Sequence, residues 1–483
     1  MSLCKRLVAR LDIKGNRLIK GIRFEGLRVI GDPLQYARSY SSQGIDEILF
    51  IDSVASLYGR NSLTDILRST SRDVFVPITA GGGVRTVQDA SDLLAAGADK
   101  IAVNTAALEN PELLKQLVLA FGSQCVVASI QARNTGPSSW EAMSECGRER
   151  SGRNIHTWIQ DVQNLGVGEI LLTSVDNDGT CHGADFNLLD SVRDIISVPL
   201  IYSGGISNPI EVENILDKKS VSGVSIGAAF HKNLLKPADL KDHLLKSDCS
   251  DFVRACTQTL RTDTSQLPLK GKRLGIIDYA MGNQQSLVNA LEYLGSDVVL
   301  TDEPDLLSGC DLLFLPGVGS FPRGMSQLID KGLDTLLIKL VSSGMPLIGI
   351  CLGMQMLFNS SDEFQFSSGL GFVDGHVAAI PDINAIGDSV MLPHMGWNLI
   401  SQNSNNSSFP PVFTSNEYQY FVHSYVATDV SESSILFTTS YQDLTLVAAV
   451  SKGHLLGFQF HPERSGASGL QLLSSSVKHL LSS

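Results

Sequence analysis

The sequence has no CxxC pair. Its 8 cysteines lie scattered through 483 residues without metal-like spacing, which argues against a disulfide framework or a zinc site and favours a reducing, cytoplasmic setting. It has no run approaching the ~20 apolar residues of a membrane span, and residues 1–15 hold no apolar stretch of signal-peptide length. It has no basic excess either. Lys+Arg is 37 against Asp+Glu 50, a formal net charge of -13, which suits neither a general nucleic-acid binder nor an anionic-membrane binder. Local phosphate sites survive that argument, because backbone N–H groups bind phosphate without Lys or Arg. The expectations are therefore no nucleic acid, no membrane, no metal and no cofactor. What is present is enough for a full core: 43% hydrophobic and 18% charged residues. At roughly 100–200 residues per domain the length allows two to four domains, or two if one is a large barrel.

The first half alternates short β-branched runs with helical patterns. Glu47-Ile-Leu-Phe-Ile, Val76-Pro-Ile-Thr, Lys100-Ile-Ala-Val, Cys125-Val-Val-Ala-Ser-Ile, Glu169-Ile-Leu-Leu, Val198-Pro-Leu-Ile-Tyr and Gly223-Val-Ser-Ile read as strands, and 87–96 and 111–121 as helices. Such alternation implies parallel pairing, and roughly 230–250 residues of it make one (βα)8 barrel. A repeat runs through it. Glu47 precedes Gly82 in Thr79-Ala-Gly-Gly-Gly83 by the same 35 residues that separate Glu169 from Gly204 in Tyr202-Ser-Gly-Gly205. Equal spacing in two halves predicts a duplicated half-barrel. The strand pattern fades over 232–272, and a second βα series is expected from Leu274-Gly-Ile-Ile, with strands near 311–315, 346–350, 420–423 and 446–450. The Ser- and Asn-rich 401–408 reads as a surface loop.

In Gly349-Ile-Cys351-Leu-Gly353 an apolar strand meets a helix, the pattern of a nucleophile elbow with Cys in place of Ser. A helix N-terminus favours the nucleophilic thiolate. Gly457-Phe-Gln-Phe-His461-Pro-Glu463 ends another strand. Residues two apart in extended chain face one side, so Glu463 can orient the His461 imidazole as a general base. Leu315-Pro-Gly317-Val318-Gly319 closes a third strand. Its backbone, with the N–H of Leu352, is a candidate oxyanion hole at Gly317, Val318 and Leu352. The bland alternatives are a buried structural cysteine, a satisfied surface histidine and a plain turn. The three motifs in one domain outweigh them.

These motifs resemble a class I glutamine amidotransferase, and more specifically the glutaminase subunit of the imidazole glycerol phosphate synthase family. Ile277-Asp-Tyr-Ala-Met-Gly-Asn283, Gly349-Ile-Cys-Leu-Gly-Met-Gln355, Pro393-His-Met-Gly-Trp-Asn398 and Phe421-Val-His-Ser424 carry the likeness over about 272–483. It implies that Cys351 attacks the glutamine side chain, His461 protonates the leaving ammonia, Glu463 orients His461 and Gln355 helps hold glutamine. The first half resembles the cyclase subunit of the same family. The implied catalytic residue is Asp12. The implied substrate and phosphate ligands are Lys20, Asp52, Gly82, Gly83, Asn104, Thr105, Gln131, Asp178, Gly179, Gly204, Gly205, Gly227 and Ala228, with Arg6, Glu47, Lys100 and Glu169 as a charged ring at the lower entrance for ammonia. For those four residues alone, surface ion pairing is the ordinary reading.

The expected fold is therefore α/β: a (βα)8 barrel over 1–250, a linker over 251–271, and an amidotransferase domain of open, mostly parallel sheet over 272–483. The expected partners are glutamine and a phosphosugar acceptor. Two departures from the family stand out. Gln131 occupies the end of strand five where the family places a second catalytic aspartate, and an amide cannot exchange a proton as a carboxylate does. The glutaminase also lies C-terminal to the barrel. Ala9-Arg-Leu-Asp12 and Val54-Ala-Ser-Leu-Tyr-Gly-Arg-Asn61 are similar to cyclase paralogues of surface-sugar synthesis. The competing readings are thus an ammonia supplier for amidation of a nucleotide-linked sugar with a partner synthetase, a non-catalytic barrel scaffold, and a lone Cys hydrolase.

Overall fold

The protein is seen in a computed structural model that describes residues 3–55, 63–255, 267–281, 283–403 and 417–482. The chain divides into two compact units, one built from Cys4–Gln258 and the other chiefly from Thr259–Val390 and His394–Ser483. Of the expected linker, 256–266 lies outside the described residues, as do 56–61 of the Val54-to-Asn61 stretch.

Eight parallel strands close the first unit: β1 (Arg6–Lys14), β2 (Glu47–Asp52), β3 (Ile78–Gly81), β4 (Lys100–Val103), β5 (Val126–Gly136), β6 (Glu169–Ser174), β7 (Leu200–Ser203) and β8 (Gly223–Ile226). Each pairs with the next and β8 returns to β1. Strands such as β2 and β6 are buried along their whole length, as expected when helices cover the outside and side chains fill the inside. The covering helices carry their own stops and starts. Val87–Ala95 begins with a capping box of Thr86 and Asp89, and Glu112–Phe121 buries Leu113, Leu114 and Leu117 before Gly122 ends it at φ 82.

Inside the barrel the side chains form layers. Arg6, Glu47, Lys100 and Glu169 each open a strand and so share the lowest layer. Above it lies an apolar cluster that includes Val8, Leu49, Val127, Leu171 and Ile201. Two hairpins extend the upper rim. The first pairs Arg17–Ile22 with Glu25–Gly31 and turns at Arg23 and Phe24, both at positive φ. The second pairs Ser139–Ser144 with Glu149–Asn154 and turns at Glu145 and Cys146, likewise at positive φ.

The second unit is a mixed sheet. Five parallel strands lie in the order β10 (Asp297–Thr301), β9 (Arg273–Ile277), β11 (Leu312–Leu315), β12 (Leu347–Ile350) and β17 (Leu455–Phe458). The order then turns antiparallel through β16 (Leu444–Lys452) and β15 (Ile435–Tyr441) to the short strand Ser401–Gln402. The expected run 446–450 thus belongs to a hairpin, not to a βα unit. The expected strand at 420–423 is β14 (Tyr418–His423), which pairs outside the main sheet with β13 (His394–Leu399). Of the loop expected over 401–408, Ser401–Gln402 is strand and 404–408 lies outside the described residues. Among the described residues no helix is long and apolar enough to cross a membrane.

Candidate active sites

The elbow forms where β12 ends. Cys351 sits at φ 54 and ψ -109, a conformation that costs an L-residue steric energy, and the short helix Leu352–Gln355 follows at once. Two glycines make room. A Cβ at Gly353 would collide with the Leu315 carbonyl oxygen, and one at Gly349 would meet the Gly353 carbonyl at 2.7 Å. Because β17 pairs in parallel with β12, the continuation of β17 brings His461 and Glu463 to the elbow, and the Cys351 N–H donates to the Phe458 carbonyl at 2.7 Å.

His461 Nδ1 lies 2.7 Å from Glu463 Oε1. A carboxylate only accepts, so Nδ1 carries a proton and Nε2, which has no hydrogen-bond partner, is the nitrogen left for chemistry. Burial opposes charge on His461, but Cys351 and Glu463 outweigh it and raise its pKa well above the ordinary value. That favours an imidazolium at His461 beside the Cys351 sulfur. Gln355 donates to the Tyr425 carbonyl at 3.0 Å and to Gln459 Oε1 at 3.1 Å, and Gln459 Nε2 lies 3.8 Å from Cys351 Sγ.

Of the proposed oxyanion donors, the Leu352 N–H is engaged. It donates to the Gly317 carbonyl at 3.3 Å. In a trans peptide the Val318 N–H then points the other way, so in this conformation the Gly317–Val318 peptide presents its oxygen where an oxyanion needs a donor. Two further residues of this site escaped the sequence reading. Gln459 lay in plain view two residues before His461, in the segment that continues β17. Glu363 gave no sequence signal. Burial pushes its carboxyl up to about 7, against the Phe321 N–H that donates to it at 2.6 Å.

At the barrel's upper end the expected residues fall into two groups around two cavities. Asp52, Gly82, Gly83, Asn104, Thr105 and Gln131 line one of about 130 Å³. Asp178, Gly179, Gly204, Gly205, Gly227 and Ala228 line a second of about 10 Å³. Gly82 and Gly204 occupy matching places in the sequence repeat. Both have positive φ, and a Cβ on either would crowd the backbone of the neighbouring strand end, Asp52 or Ser174.

Asp12 and Lys20 line neither cavity. They form an ion cluster with two other residues. Lys20 Nζ lies 2.6 Å from Asp12 and 2.9 Å from Asp178, and Arg10 Nε lies 2.8 Å from Asp12. Lys20 thus holds carboxylates, where a substrate contact was expected. Arg10 went unremarked, although its spacing of two from Asp12 already placed both on one strand face. Burial alone would raise the Asp12 pKa; Arg10 and Lys20 outweigh it and hold the carboxyl well below the usual range.

The lower layer is a closed quartet. Glu47 lies 2.9 Å from Arg6 and 2.7 Å from Lys100; Glu169 lies 2.6 Å from Lys100 and also bonds Arg6. All four side chains are buried, so surface ion pairing is not what they do.

A barrel of this architecture joined to a Cys-His-Glu elbow domain defines a synthase coupled to a glutamine amidotransferase. Comparison with known proteins is specific for both halves. Residues 6–236 match the family described as histidine biosynthesis protein, and residues 275–479 match glutamine amidotransferase class-I. The chain is 52% identical over 200 residues to the imidazole glycerol phosphate synthase subunit HisF of Legionella pneumophila, spanning 41% of this chain and 94% of that subunit. It is 41% identical over 239 residues to the same subunit of Streptococcus sanguinis, spanning 50% of this chain and 95% of that one. The chain belongs to the imidazole glycerol phosphate synthase family of histidine biosynthesis, with the cyclase-type barrel and the amidotransferase fused in one polypeptide.

Proposed function

We propose that this chain hydrolyses glutamine at Cys351 and passes the ammonia through the barrel to a phosphosugar acceptor at the barrel's upper end. With a bis-phosphate ribosyl substrate the products are imidazole glycerol phosphate and an aminoimidazole ribotide, a cyclase–lyase outcome. The observation that carries the reading is the strained Cys351 elbow beside the His461–Glu463 pair.

The Cys351 thiolate adds to the side-chain carbonyl carbon of glutamine, and the carbonyl oxygen takes up the negative charge. That oxygen needs the Leu352 N–H and a second donor, which the Gly317–Val318 peptide supplies once its carbonyl turns away. As the C–N bond breaks, His461 gives its Nε2 proton to the departing nitrogen, and ammonia leaves a thioester behind. Water then attacks the thioester with His461 as base, releasing glutamate and the thiolate. Gln355 and Gln459 hold this side of the site. Glu363, a buried carboxyl lacking a cation, suits the α-ammonium of glutamine.

Gly82 and Gly83 with Asn104 and Thr105 suit one phosphate, and Gly204 and Gly205 with Gly227 and Ala228 the other. The buried quartet fits one end of a passage for ammonia through the barrel. One observation favours a second reading, ammonia supply for amidating a nucleotide-linked sugar with a partner synthetase: the barrel presents the carboxamide of Gln131 where a carboxyl is expected.

The test is Cys351→Ala. Glutamate formation is expected to vanish, while product formation with ammonium salt as nitrogen donor persists, because the thiolate serves only to release ammonia. Normal glutamine turnover in the variant would remove Cys351 from the reaction.

A further inference from the structure

The ion cluster at the barrel's upper end has a geometry that the glutaminase reading does not use. Arg6, Val8, Arg10 and Asp12 follow one another at every second position of β1, so they share the inner face. Arg6 belongs to the lower quartet and Val8 to the apolar layer above it. Arg10 lies above Val8 and is held from two other strands, its Nη1 lying 3.3 Å from Thr173 Oγ1 on β6 and 3.3 Å from Ser203 Oγ on β7. From there its Nε reaches one Asp12 oxygen, while Lys20 takes the other. Phe24, at the turn of the first hairpin, lies over both cations, 5.3 Å from Arg10 and 5.9 Å from Lys20. With Asp178 the cluster holds two positive and two negative groups, all buried. A balanced set of this kind is what makes burial of four charges tolerable.

We propose that Arg10 is a positioning residue for Asp12: with Lys20 on the other oxygen, it keeps Asp12 a fixed negative charge toward the acceptor and takes it out of proton exchange. The proposal rests on the reading that the acceptor binds at this end of the barrel. A second, separate observation points the same way. Gln131 is 5% exposed, lines the larger cavity, and its Oε1 has no hydrogen-bond partner. It asks a ligand for an N–H or O–H donor and cannot trade a proton with it. Both positions suited to carboxylic acid–base work are therefore made non-titrating, one by pairing and one by residue type. The other groups that act on Asp12 are Cys146 and His231. Burial pushes the Cys146 thiol up to about 11, and burial with Lys20 pushes His231 down to about 4. Neither changes charge near neutral pH. At these two positions the acceptor therefore meets a fixed charge and a hydrogen-bond acceptor.

The experiment follows the Asp12 carboxyl carbon by NMR in the full chain labelled at aspartate carboxyls, with Asp12→Asn identifying the signal. In the wild type the signal should stay in place from pH 7 down to pH 4. In Arg10→Met it should move with pH over that range, and Arg10→Lys should hold it still again. Ammonium-supported turnover, compared at equal free ammonia, should be flat between pH 5.5 and 8.5 in the wild type. It should gain an acid limb in Arg10→Met that approaches about tenfold per pH unit. A wild-type Asp12 that titrates in the ordinary carboxylate range overturns the proposal, and so does an Arg10→Met protein, folded by its thermal melt, in which Asp12 stays silent. Absence of product from either protein at every pH overturns the acceptor reading instead, and the NMR titration still decides the role of Arg10.

Discussion

At the scale of single residues, the barrel's chemistry turns on Gln131. Its carboxamide lies in the fifth strand, buried, with an acceptor oxygen facing the larger cavity. General acid–base catalysis contributes typically about 10²–10⁴-fold, so a cyclase lacking one carboxyl should run slowly. Gln131→Asp is expected to raise ammonium-supported turnover of the bis-phosphate ribosyl substrate, measured by steady-state kinetics of both proteins. Robust wild-type turnover that the substitution leaves unchanged or lowers would show that the missing carboxyl is not limiting. The histidines of the second unit are arranged differently. His423 Nδ1 meets the Tyr425 carbonyl at 2.8 Å, so it carries the proton, and Nε2 accepts from His394 Nδ1 at 2.9 Å. His394 Nε2 is then left to accept from Asn398 at 3.2 Å. Burial lowers the pKa of both rings and favours their neutral form, whereas His461, flanked by Cys351 and Glu463, is biased toward the charged form.

Elements matter through how closely they approach. The elbow needs the short helix Leu352–Gln355 to lie against β11, and Gly353 allows it because it has no Cβ to strike Leu315. Gly353→Ala is expected to force these elements apart, at about 1–3 kcal/mol for the overpacking. Glutaminase activity should fall sharply while ammonium-supported turnover in the barrel is kept; equal loss of both would mean that the change unfolds more than the elbow. This element was legible in the sequence because it depends on adjacent residues, namely glycines flanking a cysteine after an apolar run. The barrel was legible for a related reason, since each βα unit repeats a local pattern. The antiparallel end of the sheet was not. Its hairpin turns at Gln442 and Asp443, both at positive φ, and these residues do not carry the Asn-Gly or Asp-Gly signal that marks such turns. The Arg10 clamp was half legible. Strand alternation places Arg10 beside Asp12, but its anchoring to Thr173 and Ser203 joins residues far apart in the chain.

At the scale of the whole molecule, the proposed reaction makes the two chemistries depend on each other. Glutamine hydrolysed without an acceptor wastes ammonia. In this conformation the Gly317 carbonyl occupies the Leu352 N–H, so the proposed oxyanion hole is incomplete. Acceptor binding in the barrel is expected to raise the rate of glutamate formation. That is a coupling free energy between sites, and it requires the ligand to bind differently to two states. Glutamate formation is measured with and without a phosphosugar ligand of the barrel; equal rates with a ligand that demonstrably binds would show that the sites are independent.

The buried quartet at the base of the barrel can also be read as a permeability barrier. Two guanidinium or ammonium groups face two carboxylates, so the layer as a whole is electroneutral. An ammonium ion entering it would add a fifth charge in a place where water cannot screen it, and the cost of an unpaired charge there is several kcal/mol. Ammonia would add none. As part of the proposed passage, the layer would therefore discriminate by protonation state. Under the proposed ammonia passage, nitrogen that crosses this layer would leave its proton behind and arrive with a free lone pair, as a nucleophile and not as its unreactive conjugate acid.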